Sequence, residues 1–308
     1  MEPGVQRWRV LVTAVCLAVA LAGIPATASG HSSCSYASGV VTLNLAADHV
    51  VRLLVVDGRI KFADLTHYEF RGPCGSATVR NTDRIRITED EPGNSRLQFD
   101  QQIGRFAPGR TLEASGRSEI EVYLGTLRDI WIMGRMTSEV MTIGELGVNL
   151  NGDGDADLVG SRLAEITVFA NDGHDVVRDT GGAGTGDRWL PPTWGYLSAS
   201  GGEGDDLLSG TGRNDHLYGD GGFDELWGRS GRDSLSGGNH SDVISGGYGG
   251  DYIVGGSWAD VLEAGPSDDF IDAYDLTADD LDGGTGFDTA NVDADDELTS
   301  IEATRPPN

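Results

Sequence analysis

Basic residues are scarce in this 308-residue chain. Lys and Arg together number 22 against 49 Asp and Glu, and Lys61 is the one lysine. The formal charge of −27 excludes most nucleic-acid partners, because a phosphate backbone needs a basic face. It also argues against docking on anionic lipid. Aromatics make up 7% and hydrophobic residues 38%, too little for a conventional oily core at this length. After residue 24 no apolar run approaches the roughly 18 residues a spanning helix needs. Catalytic signatures are missing too. There is no His-Glu-x-x-His and no Gly-x-Ser-x-Gly. His31, His49 and His67 are scattered, and His67-Tyr68-Glu69 reads as strand or loop surface. The reading is therefore a non-enzyme. Carboxylates are so numerous that a glycosidase-like pair stays open.

Cysteine is limited to Cys16, Cys34 and Cys74. Cys16 lies in an apolar run from Val10 to Ile24 that follows Arg7 and Arg9 and precedes Ala26-Thr27-Ala28. Basic start, short apolar run and small-residue site form the signal-peptide pattern, so export with cleavage after residue 28 is expected. Removing 1–28, which carries +1, leaves −28 on the mature chain, with no transmembrane anchor. Cys34 and Cys74, 40 positions apart, are then candidates for one disulfide; two unpaired thiols is the alternative.

Between Val40 and Leu150 short runs alternate with period two, as in Val41-Thr42-Leu43-Asn44-Leu45 and Ile120-Glu121-Val122-Tyr123-Leu124. Asp57-Gly58 between apolar stretches marks a hairpin, and Glu91-Pro92-Gly93-Asn94 a turn. This region holds most of the arginines. A solvated strand face is the plain reading for them, and a docking surface for the acidic half is the other. The expectation is an all-β segment with few or no long helices.

Glycine is abundant, 46 residues or about twice ordinary usage. From Gly201 the chain divides into ten nine-residue units, beginning GGEGDDLLS, GTGRNDHLY, GDGGFDELW, with one extra residue, Ala273, before the ninth. The sixth position is always Asp: Asp206, Asp215, Asp224, Asp233, Asp242, Asp251, Asp260, Asp269, Asp279 and Asp288. The eighth is Leu or Ile except at Ala290. A disordered linker needs no such phasing; a solenoid does. Glycines at positions one, two and four permit sharp turns, and the apolar eighth position fills a narrow core. Two units make one flattened coil, so Asp residues 18 apart stack in two columns at a spacing of about 4.8 Å. Carboxylates so close repel by about 1 kcal/mol per pair even in water. A divalent cation bound through carboxylate and carbonyl oxygen removes that cost. Oxygen-only donors favour Ca²⁺. His216 and His240 occupy unlike positions and form no column.

The pattern extends upstream in degenerate form, with Asp157 and Asp175 at position six, 18 apart, as weaker candidates. The coil is expected to begin near residue 151, with Thr180 to Ser200 interrupting it as a loop. The acidic run from Asn151 also resembles an EF-hand loop, but Ala156 and Arg162 stand where that loop needs Gly and Glu.

Gly201-Gly202-Glu203-Gly204-Asp205-Asp206-Leu207-Leu208-Ser209 matches G-G-x-G-x-D-x-U-x at every fixed position. The chain thus resembles the RTX, or hemolysin-type, calcium-binding repeat proteins, and more weakly a group of exported bacterial RTX proteins without a recognised catalytic domain. The resemblance implies a right-handed parallel β-roll. It implies several Ca²⁺ ions, each held by position-two and position-four carbonyls plus Asp from one turn, and by position-one and position-three carbonyls plus Asp from the turn two repeats on. Carried over, one site uses Gly202, Gly204 and Asp206 with Gly219, Gly221 and Asp224. Departures at position four (Arg213, His240, Trp258, Ser267, Thr277) and position two (Thr211, Asp220, Arg229, Asp275) predict weaker or empty sites.

The domain expectation is a signal peptide at 1–28, a β-rich region at 29–150, degenerate repeats with a loop at 151–200, the β-roll at 201–291 and a tail at 292–308. The functional expectation is a secreted calcium-binding protein with a non-catalytic surface or matrix role, its partner a cell envelope or extracellular polymer. The alternative is a polymer-acting enzyme using 29–150, for which Trp189, Trp194, Trp227 and Trp258 offer sugar-stacking rings. Outer-face packing is the plainer reading of those tryptophans.

Overall fold

The computed structural model describes residues 32–67, 69–78, 80, 82, 84–89, 95–100, 121–123, 129–136, 140–144, 147–149, 158–159, 165–179 and 196–305. The signal segment, the 91–94 turn, Asp157, Trp189 and Trp194 lie outside the described residues. Among the described residues there is no helix, and hence none long and apolar enough to cross a membrane.

Two sheets, of 14 and 13 strands, face each other and run the length of the described chain. From Glu165 onward the pairing along each sheet is parallel. In one sheet Ala199 pairs with Leu217, Leu217 with Leu235 and Leu235 with Ile253; in the other Leu208 pairs with Leu226, Leu226 with Ile244 and Ile244 with Leu262. The step is 18 residues because each nine-residue unit contributes one strand and one turn, and successive units alternate between sheets. Strand residues at odd and even places point to opposite faces. The eighth position of every unit therefore turns inward: Leu208, Leu217, Leu226, Leu235, Ile244, Ile253, Leu262, Ile271, Leu281 and Ala290 are all fully buried. Burial of each Leu or Ile contributes about 2–3 kcal/mol. One such residue per nine suffices only because the two sheets sit close. This is a parallel β-roll, as the repeat implies.

Ala273 lengthens one step in each sheet to 19, and the register survives it: Leu262 pairs with Leu281 and Ile271 with Ala290. The segment expected as a tail extends both sheets, with Glu297–Thr299 pairing onto Asp280–Asp282 and Ala303–Arg305 onto Thr289–Asn291.

The expected start of the coil near 151 and the expected 180–200 loop both need correction. Val41 pairs in parallel with Ile85, Ile85 with Val122, Leu97 with Ile130 and Ile130 with Ile166, so the two-layer stack reaches back to residue 40. The sequence conceals this because the upstream coils differ in length and carry antiparallel excursions. Ser33–Ala37 pairs antiparallel with Val40–Leu45, and Val50–Val56 with Arg59–Asp64 through the expected Asp57-Gly58 turn, both residues at positive φ. Within the expected loop, Tyr196–Ser200 is strand, aligned with Glu165–Phe169, and 180–195 lie outside the described residues. Cys34 and Cys74 form a disulfide across the N-terminal edges of the two sheets.

Candidate metal centre

Each position-six Asp is buried, from Asp206 through Asp288, with no more than 4% of its surface exposed. A buried carboxylate must be hydrogen-bonded or neutralised. One oxygen of each is satisfied by the fold. The amide of Asp206 donates to Oδ1 of Asp224 at 2.8 Å, that of Asp224 to Asp242 at 2.8 Å, and that of Asp242 to Asp260 at 2.8 Å. The second column repeats this from Asp215 to Asp233 (2.7 Å), Asp233 to Asp251 (2.8 Å) and Asp251 to Asp269 (2.6 Å). The columns continue past Ala273 to Asp279 and Asp288. They end on carboxylates that sequence reading missed: Asp279 donates to Oδ1 of Asp296, and Asp288 to Oε2 of Glu302. No repeat phase flags those two. At the other end Asp175 joins the first column, its amide donating to Oδ1 of Asp206.

The other oxygen is different. Oδ2 of Asp206, Asp224, Asp233, Asp242, Asp251, Asp260, Asp269 and Asp288 is buried with no hydrogen-bond partner. It points at the position-one residue of its own unit, which in most units is a glycine. A Cβ built on Gly228 would lie 2.6 Å from Oδ2 of Asp233 and 2.5 Å from the carbonyl oxygen of Gly246, one coil on. The same pair of acceptors meets above Gly201 (Asp206, Gly219), Gly219 (Asp224, Gly237), Gly237 (Asp242, Gly255), Gly246 (Asp251, Ala264) and Gly283 (Asp288, Ser300). Each is a cradle that lacks a side chain, lined by a carboxylate oxygen and a carbonyl oxygen, with no donor between. Two acceptors held together in a dry site repel. A cation reverses the sign of that contact, and an all-oxygen cradle suits a hard one.

The carried-over residues fall partly within this geometry. Gly219 contributes its carbonyl to the cradle of Asp206. The Gly204 carbonyl oxygen lies too close to where a Cβ would stand on Gly222, one coil on, so only glycine fits there. Gly202, at φ +110°, packs on the Asn171 carbonyl. The Gly221 carbonyl accepts the Gly204 amide at 2.7 Å, so one of its lone pairs is committed.

Burial pushes the pKa of these carboxylates up. The opposing pull of the amide bond is smaller, and the neighbouring carboxylate adds to the rise for most of them. Asp206, Asp224, Asp242, Asp260 and Asp279 are raised to about 7, Asp233 to about 8 and Asp269 to about 6; Asp251 and Asp288 are raised too. The fold thus disfavours bare negative charge where it concentrates carboxylates.

The departures from glycine divide into three kinds, one of them the unit 274–282, where Leu276 at position three takes the positive φ in place of Asp275 and Thr277. Asp220, Arg229, His240, Trp258 and Ser267 adopt positive φ and preserve the turn. The unit 210–218 does not: neither Thr211 nor Arg213 has positive φ. Instead Thr211 donates its amide (2.6 Å) and its hydroxyl (3.0 Å) to Oδ2 of Asp215. The oxygen that is orphaned elsewhere is capped here by the chain itself.

Residues 200–235, 218–247 and 245–275 match the family described as RTX calcium-binding nonapeptide repeat (4 copies), about a quarter of the chain. No curated protein matches the chain closely enough to count.

Proposed function

We propose that this RTX repeat protein is secreted, that its two carboxylate columns bind several Ca²⁺ ions, and that binding drives the array to fold. The carrying observation is the row of donor-free cradles, each pairing an orphaned Asp Oδ2 with a carbonyl of the next coil. The residues that would hold the ions are Asp206, Asp224, Asp233, Asp242, Asp251 and Asp288, with the carbonyls of Gly219, Gly237, Gly246, Gly255, Ala264 and Ser300, while Asp260 and Asp269 add orphaned oxygens to the columns. Bound Ca²⁺ supplies positive charge between coils and cross-links them. The chain's own part is to exclude water, align the carboxylates by amide hydrogen bonds and keep the cradles clear of Cβ atoms. Asp215, capped by Thr211, serves as a closed link in its column. Asp279 carries no glycine at position one, where Tyr274 stands, so its role is to continue the ladder to Asp296.

Coupling follows from the energetics. Without cations the coils stack buried like charges around a core one residue wide, so binding free energy becomes folding free energy. Extracellular modules bind Ca²⁺ at about 10⁻⁴–10⁻³ M, which keeps such an array loose where free Ca²⁺ is low and sets it after export. The disulfide between Cys34 and Cys74 supports an oxidising destination. The role that fits is a non-catalytic one on a cell envelope or extracellular polymer. Incubating the Ca²⁺-loaded full chain with extracellular polysaccharides tests it. Retention without release of reducing ends supports the role; release of reducing ends favours an enzyme.

A further inference from the structure

His49, Asp64 and His67 look unrelated in sequence, yet the fold brings them together. The Asp57-Gly58 hairpin places Val51 opposite Asp64, which sets His49, two residues before Val51, beside Asp64. His67 follows three residues after Asp64. Nδ1 of His49 lies 2.9 Å and Nδ1 of His67 3.6 Å from the same oxygen, Oδ2 of Asp64. The two rings are 4.8 Å apart between centroids. His49 and Asp64 are fully buried, and the His67 side chain is 40% exposed.

We propose that these three residues form a binding site for a transition-metal dication of the zinc class, separate from the calcium array. One ligand atom from each lies within 4.8 Å of the others. In a tetrahedral zinc centre with bonds of about 2.0–2.1 Å, ligand atoms stand about 3.3–3.4 Å apart, and the two distances to Oδ2 bracket that edge. The remaining gap closes through His67, whose half-exposed side chain can move and also provides an entry path. Two imidazole nitrogens beside one carboxylate suit zinc and its neighbours in the series and are poor donors for Ca²⁺.

The surroundings point the same way. The second oxygen of Asp64 accepts the Thr66 amide at 3.1 Å, and Thr66 Oγ1 accepts the Val50 amide at 2.8 Å, so the carboxylate is held in place. Ser32 Oγ lies 3.3 Å from Nδ1 of His49 and is itself fixed by the Ala46 amide. Serine and aspartate meet the same imidazole nitrogen, so this is no nucleophilic triad, in which they would flank the ring from opposite sides. Nε2 of His49 is buried with no partner. Nδ1 of His49, Oδ2 of Asp64 and Nδ1 of His67 are the assigned donors.

The test is Zn²⁺ titration by calorimetry into the chelator-treated full chain, refolded in saturating Ca²⁺ so that the carboxylate columns are already engaged. One equivalent of Zn²⁺ is expected. His67→Ala, at an exposed position, should retain the circular dichroism of the parent and lose at least about tenfold in Zn²⁺ affinity, as losing a ligand costs no less than losing a supporting contact. X-ray absorption on the Zn²⁺-loaded parent serves if the variant misfolds, and should show imidazole nitrogen at about 2.0–2.1 Å. No Zn²⁺ uptake, uptake unchanged in His67→Ala, or an all-oxygen shell overturns the site. These readouts are independent of whether the columns bind calcium.

Discussion

The amide of Asp233 donates to Oδ1 of Asp251 at 2.8 Å, while Oδ2 of both residues is buried with no partner. One oxygen of each side chain builds the column and the other waits for something the chain does not supply. The two halves of a carboxylate thus have separate jobs, and substitutions can separate them.

Asp233→Asn keeps an acceptor for the Asp215 amide and removes the charge. Its side-chain amide gains a donor facing the Gly246 carbonyl above Gly228. With chelator the variant should therefore keep more β structure than the parent. The Ca²⁺ concentration at half-folding should rise several-fold, since one anionic ligand is gone. Far-UV circular dichroism across a Ca²⁺ titration begun in chelator reads both effects. A variant with less β structure in chelator than the parent, or one that folds at the parent's Ca²⁺ concentration, contradicts the cradle.

Acidity should act on the metal-free chain in a stated direction. Unfolded Asp titrates near 3.8, and Asp206, Asp233 and Asp269 are raised to about 7, 8 and 6 in the fold. A raised carboxylate favours the fold while protonated, so that contribution is whole below about pH 4. It falls away as pH climbs through 6 to 8. The β signal of the chelator-treated chain in far-UV circular dichroism should be larger at pH 5 than at pH 8. Because Ca²⁺ competes with the same protons, the affinity of the folded array for Ca²⁺ should fall as pH falls.

Gly249→Ala and Gly221→Ala should differ sharply. Gly249 sits at φ +130° against the carbonyl oxygen of Gly231, with no room for a Cβ. A Cβ on Gly221 meets first the end of the Glu203 side chain, at 3.4 Å, which can swing aside. The first substitution should abolish the Ca²⁺-induced structure of the array. The second should leave it nearly intact, as far-UV circular dichroism would record.

Thr211→Val removes the hydroxyl bond that Asp215 receives and keeps the shape. A hydrogen bond to a buried carboxylate contributes about 1.5–3 kcal/mol, so a loss near 2 kcal/mol is expected in denaturant titrations at saturating Ca²⁺. A valine that costs nothing there would mean Asp215 is neutral or solvated.

The repeat was legible because its physics is local. Position six and position eight recur every nine residues, and the buried Leu/Ile ladder and both Asp columns follow from that count alone. Ala273 did not break the register, since one extra residue is absorbed in a turn before Leu281 pairs with Leu262. The upstream coils were not legible as such. Val41, Ile85 and Val122 stack like their downstream counterparts, but at steps of 44 and 37 residues, which no periodicity reveals. The Thr211 cap escaped notice because it depends on φ at two positions, and the Asp64 cluster because it depends on hairpin register. That register could have been counted outward from Asp57-Gly58.

The most direct test of the account is a Ca²⁺ titration of the chelator-treated chain followed by far-UV circular dichroism. The account predicts a cooperative gain of β signal at about 10⁻⁴–10⁻³ M Ca²⁺, with no such gain from Mg²⁺, which demands tighter octahedral geometry and sheds water reluctantly. A spectrum already fully β with chelator at pH 8, unchanged by Ca²⁺, would contradict it.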